Sequence, residues 1–226
     1  KKICEKVEKS IIEKNKSLII LSDKDLVKGS SVLPSLLVVG TLHHYLIDKG
    51  IRLKASLIVA SGEIRDAHDL ACHISYGASA VWPYLALENV RKLAENTPDL
   101  GISVSEAQEN YTKTLNKGLL KIMSKMGICT VSSYRGSELF EIIGLDKSVI
   151  TNAFKYSKSR TEGIGYEALG EQIKICSDEA SVDLGGFYKY KKNAEPHVTS
   201  PATVLRLQKA VRSGDREIWL NYLETL

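Results

Sequence analysis

The first hundred residues alternate between short apolar runs and longer stretches in which apolar side chains recur at helical spacing. The short runs are rich in branched side chains and end in polar turn formers, which predicts buried strands. They are residues 17–22, 53–60 and 78–82. The longer stretches predict helices, two of which begin at a proline. They are residues 3–12, 34–50, 63–76 and 83–95.

Strands that alternate with helices in this way predict an α/β fold with a partial parallel sheet and right-handed crossovers. The sheet would be part of a barrel or part of an open doubly wound sheet. Because a parallel sheet of three strands is thin, we expect it to continue in sequence that precedes Lys1.

Beyond residue 100 the pattern is almost entirely helical. Ser103 and Glu106 form a capping-box sequence, which predicts a long helix that ends at Gly127. Further helices are predicted at residues 134–143, 146–154, 166–177 and 201–213. The glycine pair at 185–186, followed by aromatic residues, predicts a turn into an extended segment. We therefore predict a mainly helical second half without strands, and a structural transition near residue 100.

The composition is that of an ordinary folded protein, since 43% of the 226 residues are hydrophobic and 26% are charged. The 31 lysines and arginines exceed the 27 acidic residues, giving a net charge of +4, and these charges are interspersed along the chain. The longest apolar runs are far too short to span a bilayer, and no signal-peptide pattern opens the chain. These features predict a soluble, unsecreted protein that binds neither nucleic acid nor a membrane.

Four cysteines are spread widely along the chain: Cys4, Cys72, Cys129 and Cys176. No two of them have the spacing that starts a zinc or iron–sulfur site. Disulfides would need an oxidising compartment, which no other feature indicates, so we expect reduced and mostly buried thiols.

The histidines offer a second candidate metal site, because His43, His44, His68 and His73 lie near aspartates in the sequence. However, adjacent residues on a helix point about 100° apart, and His68 and His73 are five residues apart instead of three or four. We therefore predict no metal site, and expect one histidine on the core face and one in solvent.

Gly163 and Gly165 could belong to a phosphate-binding loop or to an ordinary turn. A phosphate loop needs a preceding strand, a following helix and usually a third glycine or a lysine. Only the helix is predicted here, so we favour a turn.

Several short stretches carry a family resemblance, and they occur in the family's order. In the first half they are Ile19–Asp23, Pro34–Leu37, His43–His44, Tyr76–Ala78 and Pro83–Tyr84. In the second half they are Lys117–Ile128, Ser133–Gly136, Phe140–Leu145, Ser159–Arg160, Gly163–Gly165, Gly185–Gly186 and Leu207–Arg212. Together they resemble the large subunit of glutamate synthase over nearly the whole chain, with residues 117–128 as the most specific match.

Three positions depart from what this family usually has. Lys24 stands where arginine is usual, Trp82 where asparagine is common, and Lys191 where an arginine often follows an aromatic pair. These departures indicate a divergent member and concern local contacts.

The resemblance implies an enzyme with a glutaminase domain, a central domain, a flavin-binding barrel with an iron–sulfur cluster, and a β-helix. Such an enzyme transfers the amide nitrogen of glutamine to 2-oxoglutarate and reduces the adduct to give two glutamates. Residues 1–100 would be the C-terminal part of the central α/β domain, and residues 101–226 a mainly helical connector and the start of the FMN-binding domain. The glutaminase nucleophile would precede Lys1, and the flavin and cluster segments would follow Leu226. We therefore assign no catalytic, cofactor-binding or metal residue here, and expect FMN and an iron–sulfur cluster in the full enzyme only.

The resemblance also places the end of the long helix at the base of the flavin barrel. Methionines at helical spacing usually fill cores, and the polar turn after this helix can hold partner carboxylates or carbonyls. Because direct chemistry needs several converging polar groups, we favour interdomain packing for this region. The candidate contacts are Met123, Ser124, Lys125, Met126, Tyr134 and Arg135.

Two functions are open. The chain is a segment of a working glutamate synthase that scaffolds its domains and ammonia path, or a non-catalytic α/β interaction or binding module derived from that enzyme. The absence of an initial methionine favours a cut from a longer chain. The expected partners are the remaining domains of the same enzyme, and the isolated chain is expected to self-associate. The expected location is the cytoplasm, or the plastid stroma in a photosynthetic eukaryote. The electron donor, a nicotinamide nucleotide or ferredoxin, is left open.

Overall fold

A parallel sheet of three strands lies in the first half of the chain, in the order β1-β2-β3. The strands are β1 (Leu18–Ser22), β2 (Ser56–Ala60) and β3 (Ala80–Trp82). Ile19 pairs with Leu57, and Val59 pairs with Val81. The predicted α/β fold with a partial parallel sheet is confirmed.

The computed structural model of the chain describes residues 1–25, 32–97, 99, 101–178, 189–191, 197 and 199–225. Its contacts divide the chain into two units, Lys1–Glu179 and Ala180–Leu226. The predicted turn at Gly185 and Gly186 and the start of the extended segment after it, up to residue 188, lie outside the described residues, as does the side chain of Cys176.

Helices flank the strands at the predicted positions. They are α1 (Lys2–Ile12), α2 (Ser35–Asp48), α3 (Ala67–Ser75) and α4 (Tyr84–Asn96). Strand β2 is shorter than predicted, because residues 52–54 form a turn of 3-10 helix before it. Helix α3 begins later than predicted, because the Asp66 carboxylate accepts hydrogen bonds from the N–H groups of His68 and Asp69 and so caps the helix there.

One face of the sheet is covered by helices. Leu57 and Val59 of β2 are 0% and 1% exposed, and they pack in a core with side chains from α1 and α2. Helix α2 contributes Val39, Leu42 and Leu46, which are completely buried. Burial of these side chains supplies much of the driving force that holds α2 on the sheet.

The opposite face of the sheet is partly exposed, although Ala60 of β2 is buried on it. Side chains alternate between the two faces along each strand, and the residues next to the core positions point the other way. Leu18 and Ile20 of β1 are 56% and 60% exposed, and Trp82 of β3 is 46% exposed. Parallel sheets are normally covered on both faces. We call Leu18, Ile20 and Trp82 the open sheet face.

A long helix, α5 (Val104–Met126), follows the sheet. The Ser103 hydroxyl accepts a hydrogen bond from the Glu106 N–H at its start, and Gly127 ends it with φ of 73°. The helix packs against both α3 and α4, so contacts run across the transition predicted near residue 100. The assignment of residues 1–100 and 101–226 to two enzyme domains stays a prediction. No helix in the described part of the chain is long and apolar enough to cross a membrane.

Residues 134–143 do not form the predicted helix. Gly136 and Glu138 have φ of 74° and 52°, which a right-handed helix does not accommodate. The Gly136 N–H instead donates to the carbonyl of Ile74, and the Glu138 N–H donates to that of Ser75. This stretch is therefore bonded to the end of α3, although its apolar spacing is helical.

The second half contains short strands that the sequence pattern did not predict. Its elements up to residue 178 are α6 (Val131–Tyr134), β4 (Glu141–Ile142), α7 (Lys147–Ala153), β5 (Lys158–Ser159) and α8 (Tyr166–Asp178). Strands β4 and β5 pair in parallel, so the expectation of a second half without strands is wrong. Helices α7 and α8 confirm two predicted helices, and Asp146 caps α7 by accepting the Ser148 N–H at 2.8 Å.

The unit Ala180–Leu226 has two helices in its described part, α9 (Pro201–Ser213) and α10 (Arg216–Leu223), which pack against each other. Helix α9 confirms a prediction. The Asp215 carboxylate caps helix α10 by accepting the N–H groups of Glu217 and Ile218.

Candidate functional site

The candidate contacts at the end of α5 divide between core and surface. Met123 is 1% exposed and packs with Leu119 in a second core, to which half-buried Met126 adds. Ser124 and Lys125 are exposed. The apolar face of α5 is therefore largely covered within the chain, and of these four candidates Ser124 and Lys125 offer polar groups to a partner.

Tyr134 and Arg135 are neighbours with opposite environments. Tyr134 is completely buried, and its hydroxyl has no partner of hydrogen-bond geometry among the described residues. Burial raises the pKa of Tyr134 to about 12, while an interaction with the Ser75 side chain opposes the shift. Arg135 is exposed, and its guanidinium makes no hydrogen bond or ion pair with the described part of the chain.

Both histidines of α2, His43 and His44, are buried. His43 is 8% exposed and His44 is 2% exposed, so the expectation that one of two histidines is solvated is wrong for this pair. Arg52 Nε donates to His43 Nδ1 at 2.9 Å, and its two terminal nitrogens donate to the carbonyls of Ala55 and Gly77. Burial, followed by the positive charge of Arg52, lowers the pKa of His43 to about 4. His43 is therefore neutral near pH 7.

His44 contacts a buried glutamate that the sequence analysis did not single out. Its Nε2 lies 3.0 Å from Glu138 Oε1, and the two side chains are 3% and 6% exposed. Glu138 Oε2 also accepts the N–H of Tyr156 at 3.4 Å. These contacts join α2 to the loop after α6 and to the segment that follows α7. No local pattern marked Glu138, because its partners lie far from it in the sequence.

The Asp23 carboxylate links the segments that follow the carboxyl ends of the three strands. Asp23 follows β1 and accepts hydrogen bonds from the Ser61 hydroxyl at 2.5 Å, the Gly62 N–H at 3.1 Å and the Tyr84 hydroxyl at 2.7 Å. Burial and this carboxylate raise the pKa of Tyr84 to about 12. Ligands often bind at this edge of a parallel sheet, but here the acceptor is occupied by groups of the chain itself.

Ser35 opens α2 and lies between an acid and an imidazole. Glu63 Oε2 accepts the Ser35 N–H at 2.6 Å and its hydroxyl at 2.8 Å, and the same hydroxyl oxygen lies 2.8 Å from His73 Nε2. His73 Nδ1 lies 2.7 Å from the carbonyl of Asp69 and so carries a proton. In a catalytic triad the histidine lies between the serine and the acid. Here the serine is in the middle, and the contacts join the start of α2 to α3.

Two of the departures from the family pattern contact each other. The Lys24 ammonium lies over the Trp82 ring, 5.0 Å from its centroid. A cation at this distance from an indole face is attracted by it. The lysine and the tryptophan therefore form one local contact.

Residues 1–146 match the family described as the glutamate synthase central domain. The chain belongs to this family. It is 41% identical to the ferredoxin-dependent glutamate synthase of Cyanidium caldarium over 239 residues, which cover 98% of this chain and 15% of that protein. It is 38% identical to the glutamate synthase [NADPH] large chain of Bacillus subtilis over 218 residues, covering 93% of this chain and 14% of that protein.

A third relative is the chloroplastic ferredoxin-dependent glutamate synthase of Spinacia oleracea, which is 35% identical over 243 residues. These cover 100% of this chain and 15% of that protein. The chain thus spans about 15% of the length of the glutamate synthases it matches.

The described residues do not fit the cofactors that a glutamate synthase implies. A Cβ at Gly163 would lie 2.0 Å from the Gly144 carbonyl oxygen, and the Ile164 N–H donates to that same oxygen at 3.0 Å, so this turn packs against backbone. Cys4, Cys72 and Cys129 are free thiols, and burial raises the pKa of Cys72 to about 12. No group of three or more histidine, cysteine or acidic side chains in the described part could hold a metal ion.

Proposed function

We propose that this chain is a structural segment of a glutamate synthase and that it joins the central domain to the flavin domain. The whole enzyme transfers the amide nitrogen of glutamine to 2-oxoglutarate and reduces the adduct, giving two glutamates. Residues 1–100 belong to its central domain and residues 101–226 lead into its FMN-binding domain, and the segment holds the geometry of the ammonia path. FMN and the iron–sulfur cluster are held by other parts of the enzyme.

The observation that carries a scaffolding role is the open sheet face. Leu18, Ile20 and Trp82 are each roughly half exposed on a parallel sheet, a type of sheet that is normally covered on both sides. By contrast, the polar groups of Asp23 and Ser35 are engaged within the chain. A segment in which the polar groups of Asp23 and Ser35 bond internally, and whose sheet presents exposed apolar side chains, is suited to holding domains together.

The partners in this proposal are the remaining domains of the same enzyme. The enzyme works in the cytoplasm, or in the plastid stroma of a photosynthetic eukaryote; the spinach relative is a chloroplastic enzyme. The alternative, a separate interaction module derived from the enzyme, predicts a transcript that encodes little more than these residues. Sequencing the full transcript separates the two.

The interdomain role can be tested with Arg135→Ala in the full-length enzyme. Glutamine hydrolysis yields one glutamate directly, and the second comes from ammonia that crosses to the flavin domain. We expect the ratio of glutamate formed to glutamine consumed to fall from two towards one, because the substitution acts on domain geometry. Steady-state assays of both compounds measure this ratio.

The matched control is Arg65→Ala, which removes another exposed arginine from a loop of the same unit. It should keep the ratio near two. An Arg135→Ala enzyme with unchanged stoichiometry and unchanged rates would rule out the interdomain role of this position.

A further inference from the structure

The tautomer of His43 is set by its contact with Arg52. A guanidinium can only donate hydrogen bonds, so the 2.9 Å contact from Arg52 Nε makes His43 Nδ1 the acceptor. The ring is neutral near pH 7 because its pKa is about 4. A neutral ring that accepts at Nδ1 carries its proton on Nε2. His43 Nε2 is therefore a hydrogen-bond donor.

This donor faces the loop that follows α6. A Cβ at Gly136 would lie 3.2 Å from His43 Nε2 and 3.3 Å from its Cε1, so the glycine backbone lies against this edge of the ring. Gly77 lies against the other edge, where a Cβ would be 2.3 Å from Nδ1. In the part of the chain that the structure describes, no acceptor bonds to His43 Nε2.

Arg52 bonds to the opposite edge of the ring, at Nδ1, and its terminal nitrogens donate to two backbone carbonyls. Arg135 directly precedes Gly136, and its charge contributes to the lowering of the pKa of both His43 and Arg52. The Glu138 carboxylate has the opposite effect and raises the pKa of His43. Its oxygens bond to His44 and to the Tyr156 N–H. Neighbouring like charges repel. We call His43 Nε2 and the exposed guanidinium group of Arg135, the residue before Gly136, the donor site.

We propose that the donor site binds a carboxylate side chain from another domain of the same enzyme. This proposal rests on the proposed function, and it specifies that the group that contacts Arg135 is a carboxylate. A carboxylate supplies two acceptor oxygens, which match a guanidinium and an adjacent N–H, and it offsets the repulsion between the two arginines.

The surroundings favour a protein carboxylate over a free ligand. Small molecules bind in concave pockets, and the cavities of about 580 and 630 Å³ in the first unit are lined by residues other than His43, Arg52 and Arg135. Arg135 is instead on an exposed surface. The relatives also have about 85% of their length outside the matched region, so most of such an enzyme lies outside these residues.

The test is zero-length carbodiimide cross-linking of the full-length enzyme that carries Arg135→Lys. The reagent joins an amine to a carboxylate only when the two are in contact, and mass spectrometry identifies the linked peptides. We expect a cross-link between position 135 and an aspartate or glutamate outside residues 1–226. The natural ion pair of Lys155 with Asp48, at 2.8 Å, is the positive control. Arg65→Lys is the matched control and should give no link to another domain.

A second arm of the experiment tests whether the donor site binds a free carboxylate compound instead of a protein side chain. Glutarate is titrated into the cross-linking reaction, against sodium chloride at the same ionic strength. We expect equal effects of the two salts. If glutarate abolishes the link at position 135 saturably while chloride does not, the site binds a free dicarboxylate and the proposal is overturned. It is also overturned if the Lys155–Asp48 link forms and position 135 links to no residue outside 1–226.

The two proposals fail in different ways. A cross-link to another domain together with an unchanged glutamate-to-glutamine ratio in Arg135→Ala supports the carboxylate partner and contradicts the coupling role. A changed ratio without any cross-link at position 135 supports the coupling role and overturns the carboxylate partner.

Discussion

Tyr134 is completely buried, yet its hydroxyl has no partner of hydrogen-bond geometry in the described part of the chain. Most buried polar groups are paired, because an unpaired hydroxyl loses its bonds to water without replacement. Tyr76, in the same region, shows the usual case, since its hydroxyl lies 2.6 Å from Ser157 Oγ. At the scale of single residues, the unpaired hydroxyl of Tyr134 therefore lowers the free energy of unfolding.

This contrast predicts the effect of removing each hydroxyl. We expect Tyr134→Phe to leave the free energy of unfolding unchanged or raise it by up to about 1 kcal/mol, because no hydrogen bond is lost. Tyr76→Phe should lower it by about 1 kcal/mol, because Ser157 loses its partner. Urea denaturation of the 226-residue chain measures both. A loss of more than about 1 kcal/mol in Tyr134→Phe would show that its hydroxyl is bonded after all.

Helices α2 and α7 approach each other at a glycine. A Cβ at Gly40 would lie 2.3 Å from the carbonyl oxygen of Ala153, which is a backbone atom and cannot rotate away. The close approach brings Phe154 against the same position, at 3.2 Å from the would-be Cβ. At the scale of elements, the absence of a side chain at Gly40 decides how closely these helices pack.

Gly40→Ala is therefore expected to destabilise the chain. Overpacking against fixed atoms costs about 1–3 kcal/mol, which exceeds the gain of about 1 kcal/mol that alanine brings to a helix. Gly170→Ala in α8 is the matched control, because its Cβ would meet no atom within 4 Å. It should be neutral or stabilising by up to about 1 kcal/mol. Equal unfolding midpoints for the two variants would contradict this account of the contact.

The open sheet face is an exposed apolar surface of the unit Lys1–Glu179. The three strands pack on helices on one side only, and the other side presents Leu18, Ile20 and Trp82. Exposed apolar patches of this kind usually mark a surface that binds a partner. At the scale of the whole molecule, the chain is expected to bind other parts of the enzyme, or copies of itself when alone.

We predict that the isolated chain self-associates through this face and that Ile20→Lys weakens the association about tenfold or more, equivalent to about 1.4 kcal/mol. A buried lysine charge in the interface would be costly. Leu120→Lys is the control, since Leu120 is 57% exposed on α5 and lies outside the open sheet face. Sedimentation velocity over a range of concentrations measures the association. A chain that stays monomeric, or two variants with equal effects, would contradict the prediction.

The sequence alone determined most of the elements, because their signals are local. The strand runs, the amphipathic helices, the caps at Ser103 and Asp146 and the helix end at Gly127 depend on residues within a few positions of one another. The family resemblance likewise follows from short stretches in order, and the match over residues 1–146 confirms it.

The tertiary structure decided what depends on residues far apart in the sequence. Residues 134–143 have helical spacing, but the N–H groups of Gly136 and Glu138 bond to the end of α3, so the stretch turns back as a loop. The same loop brings Glu138 to His44 and the backbone of Gly136 against His43. Such contacts leave no periodic trace in the chain, because each is made by folding and not by neighbours in sequence. For the same reason the sequence did not show that both histidines of α2 are buried.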